Sequence, residues 1–240
     1  MNPYSSTLSK WTQLTITLYF SVLIAGCQTQ TIVKDHVKTD QKPKIYVYLA
    51  GPEVFLPDPI NAGISKKAKI MELNEKYNWP FTLVGLYPMD NEIEDFKHDF
   101  DTGINIYKAN IELMQKANYV TANMVHFRGP SMDVGTAFEM GYMQGLNKPV
   151  FAYYDAEPFY GKAEKPLIYK EKVKKYYPVS EDQHGVDKFG QSIEDFQMAD
   201  NLMMIGALDS PNHEIATTFE GAILQIAKHL SSKAKHFSSQ

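Results

Sequence analysis

The chain has 240 residues, 44% of them apolar, with 24 basic and 28 acidic side chains for a formal net charge of -4. That length allows one well-buried domain, and the lack of a basic surplus argues against nucleic acid or an anionic surface as the main partner. A single cysteine, Cys27, excludes an intrachain disulfide and any Cys-built metal site, and the seven histidines show no metal-ligand spacing.

In chain order, the first feature is the apolar run at 14–26, LTITLYFSVLIAG, which ends at Cys27. It has the length of a signal-peptide core and is short for a membrane span, which needs roughly 20 apolar residues. Leu23 to Cys27 resembles a bacterial lipobox. The resemblance implies a signal segment over 1–27, cleaved before Cys27, whose thiol would carry lipid. Gln28 in place of Asp after the cysteine favours the outer membrane. The expectation is therefore a membrane-anchored protein facing the periplasm. An uncleaved anchor, an ordinary buried cysteine and a cytoplasmic protein are the alternatives. Residues 28–43 are polar and read as a tether, 44–232 as the functional domain, and 233–240 as a polar tail.

From Lys44 onward, strand and helix patterns alternate. Lys44–Ala50, Phe81–Leu86, Tyr119–Val125, Pro149–Tyr154 and Leu202–Leu208 read as strands. Ser65–Tyr77, Gly103–Ala117, Gly135–Leu146, Ile193–Ala199 and Ile215–Leu230 carry helical patterning. Pro57, Pro59 and Gly63 keep the stretch before the first helix irregular. The strand runs are short and almost wholly apolar, as buried parallel strands are. The fold class expected is α/β: a doubly wound, flavodoxin-like or Rossmann-like, five-stranded parallel sheet with helices on both faces. The segment 155–192, rich in Lys, Tyr, Pro and Gly, reads as a lid or as a peripheral excursion.

In such folds ligands bind beyond the carboxyl ends of the strands. That rule selects Tyr48 to Glu53, Pro88 to Asp90, Val125 to Asp133, and Asp155. The run FRGPSMDVGTAFEMGYMQG at 127–145 concentrates the chemistry. Ser131 or Asp133 can cap the following helix, and Gly135 permits close backbone approach. Glu139 falls in the early turns among apolar and small neighbours. A carboxylate there can attack an anomeric carbon and hold the sugar as an ester. From periodicity alone, Glu139 can equally be a surface residue and Asp133 only a cap. Tyr48 can be a core tyrosine or reach a carboxylate, Asn110 can face solvent, and Asp90 can be a turn residue. No P-loop motif occurs, and Gly51-Pro52-Glu53 is not a dinucleotide fingerprint.

These residues together resemble the nucleoside 2-deoxyribosyltransferase family. YLAGPEVFLPD, from Tyr48, is similar to its opening motif, LYPMD, ending at Asp90, to its second-strand signature, and DNLMM, Asp200 to Met204, to its C-terminal one. Asn123 to Tyr153 resembles the long central motif, and the similarity runs from Lys44 to about Leu230. The resemblance implies that Glu139 is the nucleophile, that Asp133 binds or protonates the base, and that Tyr48 orients Glu139. It implies that Asn201 holds the sugar hydroxyls, in some members across a subunit interface. Gly51, Asp90, Asn110, Arg128 and Gly135 complete the expected substrate site. Asn110 and Asn118 stand where members carry acids, and an amide cannot supply a proton.

The activity so implied is nucleobase exchange on 2'-deoxyribonucleosides through a deoxyribosyl ester on Glu139, with retention of configuration. The partners are those nucleosides and free nucleobases, with no nucleic acid, no metal and no organic cofactor. A homo-oligomer is expected. The alternatives are a nucleoside or 2'-deoxynucleoside 5'-monophosphate N-glycosidase, with Arg128 and Ser131 near the phosphate, and a non-catalytic nucleoside-binding envelope lipoprotein.

Overall fold

The computed structural model describes residues 41–93, 96–178 and 185–237. Four strands form one sheet: β1 (Lys44–Ala50), β2 (Thr82–Leu86), β3 (Tyr119–Asn123) and β4 (Val150–Tyr153). Their order is β2-β1-β3-β4 and every pairing is parallel. The chain therefore winds one way from β1 to β2 and the other way from β3 to β4. The crevice at that reversal lies between the carboxyl ends of β1 and β3.

Period-two alternation divides the strand side chains between two apolar layers. Tyr48, Ala50, Val120, Ala122, Val150 and Ala152 face one layer. There they meet Met114 of α2 (Phe100–Lys116) and Met140 and Met143 of α3 (Val134–Gly145). Val47, Leu49, Tyr119 and Phe151 face the other layer. They pack on Ile70 and Leu73 of α1 (Pro59–Tyr77) and on Ile223 and Ile226 of α7 (Phe219–Phe237). Helices thus cover both faces of the sheet.

α1 begins six residues before the sequence pattern places it. Pro59 sits at its first turn, where the missing N–H costs nothing, and Asp58 caps it by accepting from Asn61 N at 3.1 Å. Gly63 belongs inside this helix because the Tyr87 ring presses on it; a Cβ there would lie 2.3 Å from Tyr87 Cδ1.

The expected five-stranded sheet is corrected to four strands. Leu202–Leu208 is not a strand: Leu202–Gly206 forms a short helix, α6, capped by the Asn201 side chain, which accepts from Met203 N at 3.0 Å. A run such as LMMIGAL suits either structure by composition, and the cap and the packing of Ile205 and Leu208 into the α3 layer decide for helix. The free edge of β4 is met instead by isolated contacts. Asp209 N donates to Val150 O at 2.8 Å and Ala216 N to Ala152 O at 2.9 Å. Ile193–Ala199 is irregular rather than helical, and Gln197 there has φ 59°.

Two short helices, α4 (Glu157–Tyr160) and α5 (Tyr169–Tyr176), stand in the segment 155–192. The expectation of a membrane-anchored, periplasm-facing protein is also corrected. Among the described residues no helix is long and apolar enough to cross a membrane. α1 and α7 have 19 residues each, but lysines and glutamates along both keep them well short of an apolar span. The signal segment 1–27, Cys27 and most of the tether lie outside the described residues.

Candidate active site

The β3–α3 connection builds one side of the crevice. His126 and Met132 form an antiparallel bridge, and Phe127 N donates to Ser131 O at 2.9 Å. Arg128 turns this loop with φ 57°. Asp133 then caps α3, accepting from Thr136 N at 2.9 Å and Thr136 Oγ1 at 3.0 Å. Both bonds land on Oδ2, so Oδ1 stays available to the crevice. Glu139 follows in the second turn of α3 and is half-buried.

β1 builds the other side. Tyr48 is fully buried and donates its hydroxyl to Glu139 Oε1 at 2.6 Å. Burial, opposed by the Tyr48 hydrogen bond and helped by the charges of Asp133 and Glu53, pushes the Glu139 carboxyl up to about 7. Burial also holds the Tyr48 phenol far above its ordinary range, and the neighbouring Glu139 carboxylate adds to this. Near neutral pH Glu139 is thus poised between its acid and its ionised form, while Tyr48 remains a donor.

Glu139 opens into a cavity of about 560 Å³, lined also by Gly51, Phe55, Met89, Phe96, His98, Asn110, Asp133 and Gly135. The size suits a nucleoside-sized ligand. Apolar walls surround a few polar groups, which is the usual make-up of a small-molecule site. A second hollow of about 350 Å³ adjoins it and shares Pro88, Met89, Phe96, Ile106 and Asn110 as its wall.

Of the residues selected by sequence, Gly51, Asn110, Asp133, Gly135 and Glu139 line this cavity, and Tyr48 stands behind it, bonded to Glu139. Asp90, Arg128 and Asn201 do not line it. Both Asp90 oxygens are engaged, one by Lys67 Nζ and the other by Tyr87 N at 2.9 Å. The Arg128 guanidinium lies 4.8 Å from the Phe55 ring centroid and 4.7 Å from that of Phe127, behind the cavity wall. Asn201 caps α6, and Glu194 Oε1 accepts from its Nδ2 at 2.6 Å.

Sequence reasoning gives no role to two residues at the site, His98 and Glu53. His98 lines the cavity. Glu53 is 2% exposed. Its Oε1 accepts from Asn123 Nδ2 and Tyr153 Oη, both at 2.9 Å, and lies 2.7 Å from Lys66 Nζ. Burial opposes its charge, but the Lys66 ammonium and the hydrogen bond from Asn123 outweigh burial and hold the carboxyl below its ordinary range. Gly51 is required beside it: a Cβ at Gly51 would lie 2.0 Å from Glu53 Oε2. Among the described residues no cluster of three or more His, Cys, Asp or Glu side chains could hold a metal ion.

A tyrosine-held carboxylate in a nucleoside-sized cavity, at the reversal point of a parallel sheet, fits the chemistry implied by the central motif. A family model described as nucleoside 2-deoxyribosyltransferase matches residues 47–203. The chain belongs to the nucleoside 2-deoxyribosyltransferase family. A 2-desoxiribosyltransferase from Leishmania mexicana is structurally similar, with TM-score 0.52 and 25% identity, covering 77% of this chain and 98% of that one. A conserved protein from Enterococcus faecalis V583 gives TM-score 0.48 at 17% identity, covering 78% and 99%. A 2-deoxyribosyltransferase from the psychrotolerant bacterium Bacillus psychrosaccharolyticus gives TM-score 0.38 at 19% identity, covering 57% and 86%. Comparison with curated proteins gives no match. Membership places the chain among transferases acting on small nucleoside and nucleobase substrates.

Proposed function

We propose that the chain breaks the N-glycosidic bond of 2'-deoxyribonucleosides, using Glu139 as nucleophile, and passes the sugar to a second nucleobase. The observation that carries this reading is the 2.6 Å contact of buried Tyr48 with Glu139, whose carboxylate side chain lines the cavity. Tyr48 fixes one carboxylate oxygen and leaves the other to meet the anomeric carbon. As the Glu139 oxygen bonds to that carbon, the carbon–nitrogen bond breaks and the base leaves with its electron pair. Asp133 hydrogen-bonds or protonates the departing base. The sugar remains as an ester on Glu139. A ring nitrogen of the second base then attacks the same carbon, its N–H proton passes to Asp133, and the Glu139 carboxylate leaves. Two displacements give overall retention. Asn110, being an amide, orients a base without exchanging protons.

A second reading ends the same covalent step with water, making the chain an N-glycosidase. The hollow adjoining the cavity favours it by offering water a route while the sugar is held. A role for Asn201 at the sugar requires a second copy of the chain, because Asn201 does not line the cavity of its own chain.

Chromatography of products from 2'-deoxyinosine, with and without adenine, tests the proposal. Formation of 2'-deoxyadenosine only when adenine is present supports transfer. Hypoxanthine and free sugar with no new nucleoside support the glycosidase, and the same assay on 2'-deoxyinosine 5'-monophosphate shows whether a phosphate is accepted. No change in any nucleoside, purine or pyrimidine, overturns both readings.

A further inference from the structure

Asp200 is 1% exposed and Lys172 3% exposed, and neither takes part in the chemistry proposed above. Asp200 Oδ2 accepts from Lys172 Nζ at 3.1 Å and from Met132 N at 3.0 Å. Its Oδ1 accepts from Ser131 Oγ and from Asn201 N, the latter at 2.8 Å. One carboxylate thus receives four hydrogen bonds, two on each oxygen, from three separate stretches of chain. Lys172 belongs to α5, Asn201 opens α6, and Ser131 and Met132 belong to the loop that leads directly into Asp133.

The placement has a mechanical consequence. The 127–132 loop contains Arg128 with φ 57°, a conformation that costs a non-glycine residue energy unless its surroundings hold it. Within the loop the holding contacts are the His126–Met132 bridge and the Phe127 N to Ser131 O bond. From outside, Asp200 grips the two residues immediately before Asp133. The segment 155–192 supports this loop at a second point, where Tyr160 stacks on His126 at 4.6 Å and donates to His126 O at 2.5 Å. Among the described residues, this segment contributes nothing to the cavity lining. Its described part bears on the loop from behind, so a strut describes it better than a lid.

We infer that the buried Asp200–Lys172 pair is a positioning device, fixing the loop before Asp133 so that Asp133 and the start of α3 meet the substrate base correctly. This rests on the proposed role of Asp133. Asp200 is a positioning residue and touches no substrate. A buried carboxylate serves because an amide in its place could not accept on both sides. Lys172 supplies the counter-charge without which the buried carboxylate would be costly.

The test uses the full chain with Asp200→Asn, the double variant Asp200→Asn with Lys172→Met, and Ser131→Ala, which removes one bond and leaves the ion pair intact. The double variant leaves no unpaired buried charge, so it remains informative if the single one does not fold. Hydrogen exchange is followed in the peptide spanning 127–136, with peptides of α1 and α7 as internal references. Turnover of 2'-deoxyinosine is measured alongside. The expected result is exchange at least about 10-fold faster in 127–136 with α1 and α7 unchanged. With it, kcat falls about 10- to 100-fold while KM moves less than about threefold, and Ser131→Ala shows the same pattern more weakly. Unchanged exchange in 127–136 overturns the proposal, and so does loosened exchange with wild-type kcat. Should wild-type protein turn over no nucleoside, the proposed function fails. Loop exchange then decides separately whether the pair fixes the loop.

Discussion

Tyr48 Oη donates to Glu139 Oε1 across 2.6 Å, joining the end of β1 to the second turn of α3 over 91 residues of sequence. The bond is charge-assisted when Glu139 is ionised and so favours the nucleophilic form.

Tyr48→Phe removes that stabilisation. Because the hydroxyl pulls the Glu139 carboxyl down, its loss raises the carboxyl above about 7. Activity requires the ionised form, so the acid limb of the rate profile moves to higher pH. A hydrogen bond to a charged group contributes about 1.5–3 kcal/mol, so kcat/KM at neutral pH falls roughly 10- to 100-fold. A pH–rate profile checks both; a limb that does not move contradicts the role given to Tyr48.

Asp133→Asn separates capping from chemistry. Asn caps helices as well as Asp does, so α3 keeps its start and the melting temperature stays within a few degrees of wild type. The charge of Asp133 pushes the Glu139 carboxyl up, so its removal shifts the acid limb to lower pH. Loss of a carboxyl that can exchange a proton with the base slows the reaction about 10²- to 10⁴-fold. A variant as fast as wild type would mean that Asp133 is only a cap.

Much of this arrangement can be read from the residues, for identifiable reasons. The strand Lys44–Ala50 is legible because its β-branched and aromatic residues end sharply at Gly51-Pro52. The cap at Asp133 is legible because capping is local. Glu139 is different: helical spacing leaves it a surface residue as readily as a nucleophile, and only its resemblance to the family motif singles it out. The burial of Glu53 depends on Lys66, one helix further on, and on Asn123 and Tyr153 from two other strands. No local pattern signals such a group. The Leu202–Leu208 run misleads because an apolar heptamer carries no period of its own. What occupies the edge of β4 is settled by tertiary packing.

Glu139→Gln should raise stability where Glu139 is charged. A carboxyl whose pKa is about 7 folded and 4.5 unfolded binds protons on folding. It therefore destabilises the native state increasingly as pH rises through that window, by on the order of 3 kcal/mol above it. Gln carries no such penalty and can still accept from Tyr48. Urea unfolding should show the variant more stable than wild type by about 2–3 kcal/mol at pH near 8.5, with the gap closing towards pH 4. A pH-independent difference would contradict the raised carboxyl.

Gly51→Ala tests the close approach behind the cavity. The new Cβ would meet Glu53 Oε2 at 2.0 Å, and Glu53 is held by three partners, so it cannot swing aside freely. Overpacking of this kind costs about 1–3 kcal/mol. A thermal melt should show the loss, and an unchanged melting temperature would show that Glu53 yields.

The central claim is the covalent step on Glu139, and intact-protein mass spectrometry tests it most directly. Wild-type chain and Glu139→Ala are each mixed with 2'-deoxyinosine, and adenine is then added. The account predicts a deoxyribosyl adduct on the wild type alone, discharged by adenine with formation of 2'-deoxyadenosine. An adduct on the Glu139→Ala chain, or base exchange by the wild type with no adduct on Glu139 under rapid quench, would contradict it.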